Sequence, residues 1–229
     1  MADATLDSAE NILNISGGCL PFFGVGSLVN GGKDFCTSKS ISPLNYAETH
    51  DSLKTVIISI RGSAYFHSNR SNDPEHKSHL NTQFIYYDHP EITNRRDIFV
   101  SAMRATLERL ISKGKEVIFV LDNPMLTFSP KLCSDIRPLR LTKKPSKDPC
   151  ALSRKEFEEN SHEYREIVAS VLNNFPTVKV FDTSTVLCDE KSCWAMKNGN
   201  LLYRDVDHLS IEGSMLIAKE LVKLLPKTN

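Results

Sequence analysis

The residues best suited to chemistry lie near the end of the chain, in positions 201–214. This stretch reads Leu-Leu-Tyr-Arg-Asp-Val-Asp-His-Leu-Ser-Ile-Glu-Gly-Ser and brings Asp205, Asp207 and His208 together. An imidazole with a carboxylate three residues earlier can take a proton from a hydroxyl nucleophile, while the carboxylate fixes the tautomer and stabilises the imidazolium. A short motif of this kind also occurs in loops whose histidine makes only structural hydrogen bonds. The pattern therefore indicates either a general base or a structural loop histidine.

The residues that follow predict a helix that would hold this group in place. Ser210 is a favourable N-cap, because its hydroxyl can accept a hydrogen bond from an amide of the first turn. Glu212 adds negative charge near the positive end of the helix. Apolar residues then recur at helical spacing, at Ile211, Met215, Ala218, Leu221, Val222 and Leu225. We therefore expect Asp205 and His208 in a tight loop that enters a C-terminal helix, near the sheet edge where α/β proteins bind ligands.

The motif resembles a known family. Residues 205–210, Asp-Val-Asp-His-Leu-Ser, followed by Gly213, are similar to the last sequence block of the SGNH hydrolases. Residues 202–213, together with Cys188 and Cys193 around Asp-Glu-Lys-Ser, resemble more closely the periplasmic SGNH domain fused to membrane acyltransferases of the acyltransferase-3 type. The resemblance implies that Asp205 and His208 complete a Ser-His-Asp triad. Asp207 is the other candidate for the orienting carboxylate, although its adjacency to His208 makes the geometry awkward.

The same resemblance implies the reaction and its setting. It implies transfer of an acyl group to a cell-envelope polysaccharide such as lipopolysaccharide O-antigen, or hydrolysis in an esterase variant, without a cofactor. The acceptor would be a polysaccharide or lipid-linked glycan, and a membrane acyltransferase domain would deliver the acyl donor. The domain would lie at the periplasmic face of the bacterial inner membrane, although residues 1–229 alone would be a soluble fragment.

Two further positions are candidates for contact with the oxyanion or substrate. Gly17 and Gly18 follow a short apolar run and can expose backbone amides to an oxyanion, or can simply serve a turn. The family generally places an asparagine after the strand predicted at residues 55–60, where this chain has Arg61 and Gly62. In the acyltransferase-fused subgroup an arginine followed by an aromatic residue is familiar here, so Arg61 fits and Gly62 departs. Arg61 is suited to a substrate anion or to a structural acid.

Composition excludes several classes of protein and indicates a compartment. Lys plus Arg and Asp plus Glu both total 28, so nothing suggests a nucleic-acid-binding surface. The six cysteines form no Cys-x-x-Cys and no histidine has zinc-finger spacing, so we expect no metal. We expect sequential disulfides that each bracket a loop, Cys19–Cys36, Cys133–Cys150 and Cys188–Cys193; six reduced thiols in a cytosolic protein are the alternative. Disulfides need an oxidising compartment, which conflicts with the polar residues 1–11 unless the true N-terminus lies upstream.

The remaining pattern predicts a mostly parallel α/β fold. Strands are expected at residues 11–16, 55–60, 116–121 and 178–181, and residues 82–87 are either a short strand or a lid edge. Helices are expected after Asp97, Ser153 and Ser210, and a polar loop over residues 26–52. The family resemblance implies a flavodoxin-like three-layer SGNH-hydrolase fold over a single domain, residues 1–229. Its first strand and first helix are expected to be missing.

One part of the expected chemistry is absent from the sequence. The family carries its nucleophile in Gly-Asp-Ser, which does not occur here, and Ser8 is the nearest imitation. Either the chain is the C-terminal part of a longer acyltransferase, or it is a stand-alone degenerate domain. A non-catalytic glycan-binding module is the alternative function, supported by the basic loop at residues 137–147. A cytosolic esterase with free thiols is a third hypothesis.

Overall fold

The structure of the chain, a computed structural model, describes residues 19–29, 32–34, 36–66, 82–133 and 149–226. The strands are β1 (Val25–Val29), β2 (Thr55–Ser59), β3 (Thr82–Tyr86), β4 (Glu116–Leu121), β5 (Ala151–Ser153), β6 (Lys179–Asp182), β7 (Ser192–Trp194), β8 (Met196–Lys197) and β9 (Asn200–Leu201). The α-helices are α1 (Cys36–Thr49), α2 (Ser63–Phe66), α3 (Arg95–Ser112), α4 (Arg154–Leu172), α5 (Ser184–Leu187) and α6 (Ile211–Leu221). Short 3-10 helices cover Pro130–Cys133 and Val222–Leu224. None of the helices in these ranges is long and apolar enough to cross a membrane.

A three-stranded sheet in the order β2-β4-β6 forms the centre of the fold. β2 and β4 pair in parallel, with Thr55 opposite Glu116 and Ser59 opposite Val120. Their sequences are runs of β-branched and aromatic residues, as expected for strands of a buried parallel sheet. The strands predicted at residues 55–60, 116–121 and 178–181 are confirmed, and with them the mixed α/β fold with a parallel sheet. The strand predicted at residues 11–16 lies outside the described residues.

The chain divides into two compact units. One comprises Met1–Ile12, Asp122–His162 and Asp182–Asn229, and the other comprises Leu13–Leu121 and Glu163–Phe181. The second unit carries the parallel sheet and a continuous hydrophobic core. The first carries two small antiparallel pairs, β5-β7 and β8-β9. The expectation of a single domain over residues 1–229 stays a prediction.

The core of the sheet-bearing unit is built mainly by α3, β4 and α4. The predicted apolar face of α3 is buried at Phe99, Met103, Leu107 and Leu110, each no more than 1% exposed. α4 adds Tyr164, Ile167, Val168 and Val171, which are equally buried. Burial of a large apolar side chain contributes about 1.5–3 kcal/mol, so these helical faces account for much of what holds the sheet in place.

Two helix starts follow simple capping chemistry, one of them at a different residue from the prediction. Ser153 caps α4, since its hydroxyl accepts from the Glu156 amide at 3.1 Å. α3 begins earlier than predicted, because Asn94 rather than Asp97 is the N-cap and accepts from the Arg96 and Asp97 amides. Asparagine caps as well as aspartate does. Asp97 instead supplies negative charge within the first turn.

The prediction of a polar loop over residues 26–52 is wrong. Within this range β1 extends to Val29 and α1 covers Cys36–Thr49, and β1 pairs antiparallel with β3. The sequence of α1, which is rich in Ser and Thr and contains Pro43, hides the helix. Asp34 stabilises the start of α1, because its Oδ1 accepts from the Ser27 and Cys36 amides at 2.9 and 2.8 Å. Contacts beyond the local sequence therefore override weak helix propensity here.

Candidate active site

The Asp/His motif lies in a closed turn between β9 and α6. The amide of Arg204 donates to the carbonyl of His208 at 2.8 Å, and Tyr203 forms a β-bridge with Leu209. The Ser210 amide donates to the Leu202 carbonyl at 2.9 Å, and the Ser210 hydroxyl donates to the Leu201 carbonyl at 2.6 Å. These bonds join the two ends of the turn and limit the positions that His208 can adopt.

The helix that follows holds the turn in place through a close backbone approach. Ser210 caps α6 as predicted, accepting from the Gly213 amide at 3.1 Å. A Cβ atom at Gly213 would lie 2.1 Å from the Leu202 carbonyl oxygen. Only glycine therefore lets the first turn of α6 approach Leu202 this closely.

Asp205 and His208 form the hydrogen-bonded pair that the motif predicts. His208 Nδ1 lies 2.9 Å from Asp205 Oδ1 and 3.0 Å from Asp205 Oδ2. The same Oδ1 accepts from the His208 amide at 2.7 Å and from the Asp207 amide at 3.2 Å. Because a carboxylate only accepts, Nδ1 carries the proton and Nε2 is the basic nitrogen. The imidazole side chain is 57% exposed, so it is accessible from outside the turn.

The charge on Asp205 is secured by its hydrogen bonds. Partial burial by itself would raise the pKa of Asp205, but hydrogen bonds from the His208 and Asp207 amides and from the His208 ring hold that pKa well below its usual range. Arg204 Nε also lies 3.4 Å from Oδ2. Asp205 is therefore an anion at neutral pH, as an orienting carboxylate must be.

Asp207 reaches the same imidazole nitrogen in spite of being adjacent to His208. Its Oδ1 lies 3.2 Å from His208 Nδ1, and its side chain is only 4% exposed. Asp207 Oδ1 is thus within ion-pair distance of His208 Nδ1, whereas the hydrogen bonds of that nitrogen are made with the two Asp205 oxygens. Asp205, Asp207 and His208 also place three potential ligand atoms within 4.8 Å of one another and are the residues that could hold a metal. Exposed acidic groups of this kind are common without a metal, so the distances carry no assignment.

The segment after β4 supports the turn, and sequence reasoning missed this role. The Asn123 side chain donates from Nδ2 to the Asp207 carbonyl at 3.1 Å, and the Leu126 amide donates to the Val206 carbonyl at 2.7 Å. Burial raises the pKa of Tyr203. A contact with Asn123 opposes this rise, and the charge of Asp122 adds to it. In the sequence, the position of Asp122-Asn123-Pro124 directly after a strand indicates a polar segment at the sheet edge, but it does not identify the Asp207 carbonyl as the partner of Asn123.

The other predicted site residues belong to the unit that carries the parallel sheet or lie outside the described residues. Gly17 and Gly18 lie outside the described residues. Arg61 is half-buried after β2, in the unit that carries the parallel sheet. The unexpected Gly62 has a structural reason, since a Cβ atom there would lie 2.0 Å from Tyr164 Cε2. The oxyanion and substrate roles of Gly17, Gly18 and Arg61 stay predictions.

All three sequential disulfides are present. Cys19–Cys36, Cys133–Cys150 and Cys188–Cys193 are bonded, and no free cysteine remains in the chain. In the short loop that Cys188–Cys193 closes, Asp189 accepts from the Lys191 and Ser192 amides and from Trp194 Nε1, each at 2.8 Å. The basic residues of the 137–147 loop lie outside the described residues.

Comparisons with known proteins show the family and the fold of the chain. Residues 1–223 match the family model described as SGNH domain (fused to AT3 domains). Among solved structures, the periplasmic domain of a lipopolysaccharide acetyltransferase from Salmonella ser. Paratyphi A matches with a TM-score of 0.53 and 15% identity. The match covers 89% of this chain and 67% of the Salmonella chain, and at this identity it shows the fold alone. No curated protein sequence matches the chain.

Proposed function

Because this chain belongs to the family of SGNH domains that are fused to AT3 domains, we propose that it is the acyl-transfer domain of an envelope polysaccharide O-acyltransferase. The observation that carries the proposal is the Asp205–His208 pair, with Nδ1 at 2.9 Å from the carboxylate and the ring exposed. That arrangement is the base-and-orienter half of a Ser-His-Asp triad. The structural neighbour, a lipopolysaccharide acetyltransferase domain, supports an acyl group and a glycan as the substrates.

In the proposed reaction His208 moves two protons for each acyl group. A serine hydroxyl attacks the acyl carbonyl and its proton passes to His208 Nε2; the leaving group departs with that proton, and the acyl group stays on the serine as an ester. A sugar hydroxyl then attacks the ester while His208 takes its proton and returns it to the serine. Water replaces the sugar in the esterase variant. Asp205 stabilises the imidazolium in both steps, and backbone amides hold the oxyanion.

The nucleophile is the part of this site that residues 1–229 do not provide as Gly-Asp-Ser. We propose that the serine is supplied by sequence outside these residues, and that the chain by itself is inactive or nearly so. Gly17, Gly18 and Arg61 remain the proposed oxyanion and substrate contacts. The disulfides fit an oxidising compartment, which supports placement of the domain at the periplasmic face of the membrane, with a membrane acyltransferase domain as donor.

Aryl-acetate hydrolysis tests the proposal in two forms of the protein. Purified 1–229 is expected to show no turnover above that of its His208→Ala variant. Protein expressed from the complete source gene is expected to turn over the ester and to lose that activity with His208→Ala. A short chain that hydrolyses the ester through His208 would contradict the proposed external serine.

The alternative is a glycan-binding module without chemistry, which the missing Gly-Asp-Ser favours. It predicts that glycan binding survives His208→Ala and that the complete gene product is also inactive. This outcome would overturn the acyl-transfer proposal while leaving the fold assignment intact.

A further inference from the structure

We propose that Asp207 is a second orienting carboxylate for His208 and that Asn123 is the positioning residue that holds it there. The inference rests on the proposed role of His208 as the base, and it adds two residues to the machinery of that site. It starts from the geometry of Asp207, whose backbone and side chain make contacts in three different directions.

Asp207 connects three parts of the turn. Its amide donates to Asp205 Oδ1 at 3.2 Å, and its carbonyl accepts from Asn123 Nδ2 at 3.1 Å. Its carboxylate Oδ1 lies 3.2 Å from His208 Nδ1. A shift of the Asp207 backbone therefore changes the contact with His208 as well as the contact with Asp205.

Asn123 is well placed to prevent such a shift. It lies in the segment that follows β4, in the same compact unit as the turn. The same segment contacts the turn a second time through the Leu126 amide, which donates to the Val206 carbonyl at 2.7 Å. Thr183 Oγ1 in turn donates to the Asp122 carbonyl at 3.1 Å. A side chain whose segment is fixed by neighbouring hydrogen bonds holds its partner more precisely than a free loop does.

The second carboxylate changes the surroundings of His208 Nδ1, the ring nitrogen that carries the proton. The side chain of Asp205 is 32% exposed, and its Oδ2, which also contacts the His208 ring, lies 3.4 Å from Arg204 Nε. Asp207 is 4% exposed, so water competes less for its contact with the ring. With oxygens of both side chains close to Nδ1, a proton on that nitrogen is favoured and the basic lone pair is kept on Nε2.

The ratio of Nδ1–H to Nε2–H tautomers of neutral His208, measured from ring ¹⁵N chemical shifts of the whole chain 1–229, tests the proposal. Asn123→Asp keeps the shape of the side chain but removes its N–H donors. We expect it to lower the ratio about fivefold, the change that corresponds to one net hydrogen bond. Asn174→Asp is the matched control, since Asn174 Nδ2 also donates to backbone carbonyls, those of Ser170 and Val171. The control is expected to leave the ratio unchanged.

A second variant keeps the test decisive where Asn123→Asp fails to fold. Asp207→Asn retains both backbone contacts and removes only the carboxylate, so it is expected to lower the same ratio by a similar factor. The tautomer ratio of the double variant is expected to be no lower than that of either single variant, because both substitutions act on the same contact, the one between Asp207 and His208. An unchanged ratio in Asp207→Asn, or additive effects in the double variant, would overturn the proposal. The ratio needs neither serine nor substrate, so its failure is distinguishable from failure of the acyl-transfer assay.

Discussion

Gly213→Ala tests how closely α6 must approach the turn that carries His208. The added Cβ would lie 2.1 Å from the Leu202 carbonyl oxygen, 3.0 Å from its carbon and 3.2 Å from its Cα. All three are backbone atoms, so no side-chain rotation relieves the contact. Either α6 or the strand end at Leu202 must move. That movement stretches the 2.9 Å bond from the Ser210 amide to the same carbonyl.

The magnitude follows from two opposing effects. Overpacking of a tight contact costs about 1–3 kcal/mol, and weakening the Ser210–Leu202 hydrogen bond adds about 1 kcal/mol. Alanine is favoured over glycine within a helix by about 1 kcal/mol. The net result is a loss of about 1–3 kcal/mol in the free energy of unfolding. For a chain of this length the corresponding fall in Tm is about 2–12 °C.

Thermal unfolding followed by circular dichroism measures this change. Ser214→Ala is the matched control, because Ser214 is the next residue of α6 and is exposed, so it gains helix propensity without a clash. We expect Ser214→Ala to melt at or slightly above the wild-type temperature and Gly213→Ala to melt below it. A Gly213→Ala chain that is as stable as the wild type would refute the close approach of α6 to Leu202.

Two further predictions concern charge and covalent linkage. Burial alone would raise the pKa of Asp34, but hydrogen bonds from the Thr37 hydroxyl, the Ser27 and Cys36 amides and Tyr87 lower it to about 2. The stability that this carboxylate contributes is therefore present above its ordinary pKa and is lost as pH falls toward about 2. Denaturant titrations at both ends of that pH window measure this loss. Asp34→Asn should remove about 1 kcal/mol of the pH dependence, after allowance for solvent screening. Removing the Cys188–Cys193 bond, which spans 5 residues, should cost about 2 kcal/mol, against about 3 kcal/mol for the Cys19–Cys36 bond, which spans 17. Urea midpoints of the two double Cys→Ser variants check that order, and equal midpoints would contradict it.

The features predicted correctly from the sequence depend on contacts between near neighbours. The strands at β2 and β4 follow from runs of β-branched residues, and α6 follows from Ser210 and the apolar spacing after it. The Asp205–His208 pair is also local, because the two residues are three positions apart in one turn. Such interactions need only the sequence around them, so a pattern is sufficient to predict them.

The features that the sequence did not reveal depend on residues far apart in the chain. Asn123 and Asp207 are separated by 84 positions, and their hydrogen bond exists only because the fold brings the end of β4 to the turn. The need for glycine at position 62 is explained by the Tyr164 ring, and no residue close to Gly62 in the sequence indicates that contact. β1 and α1 likewise depend on pairing with β3 and on the Cys19–Cys36 bond. The sequence predicts Asp205 and His208 as the residues of the proposed chemistry. The residues that hold them in place are seen only in the folded chain, because those contacts form when distant segments pack together.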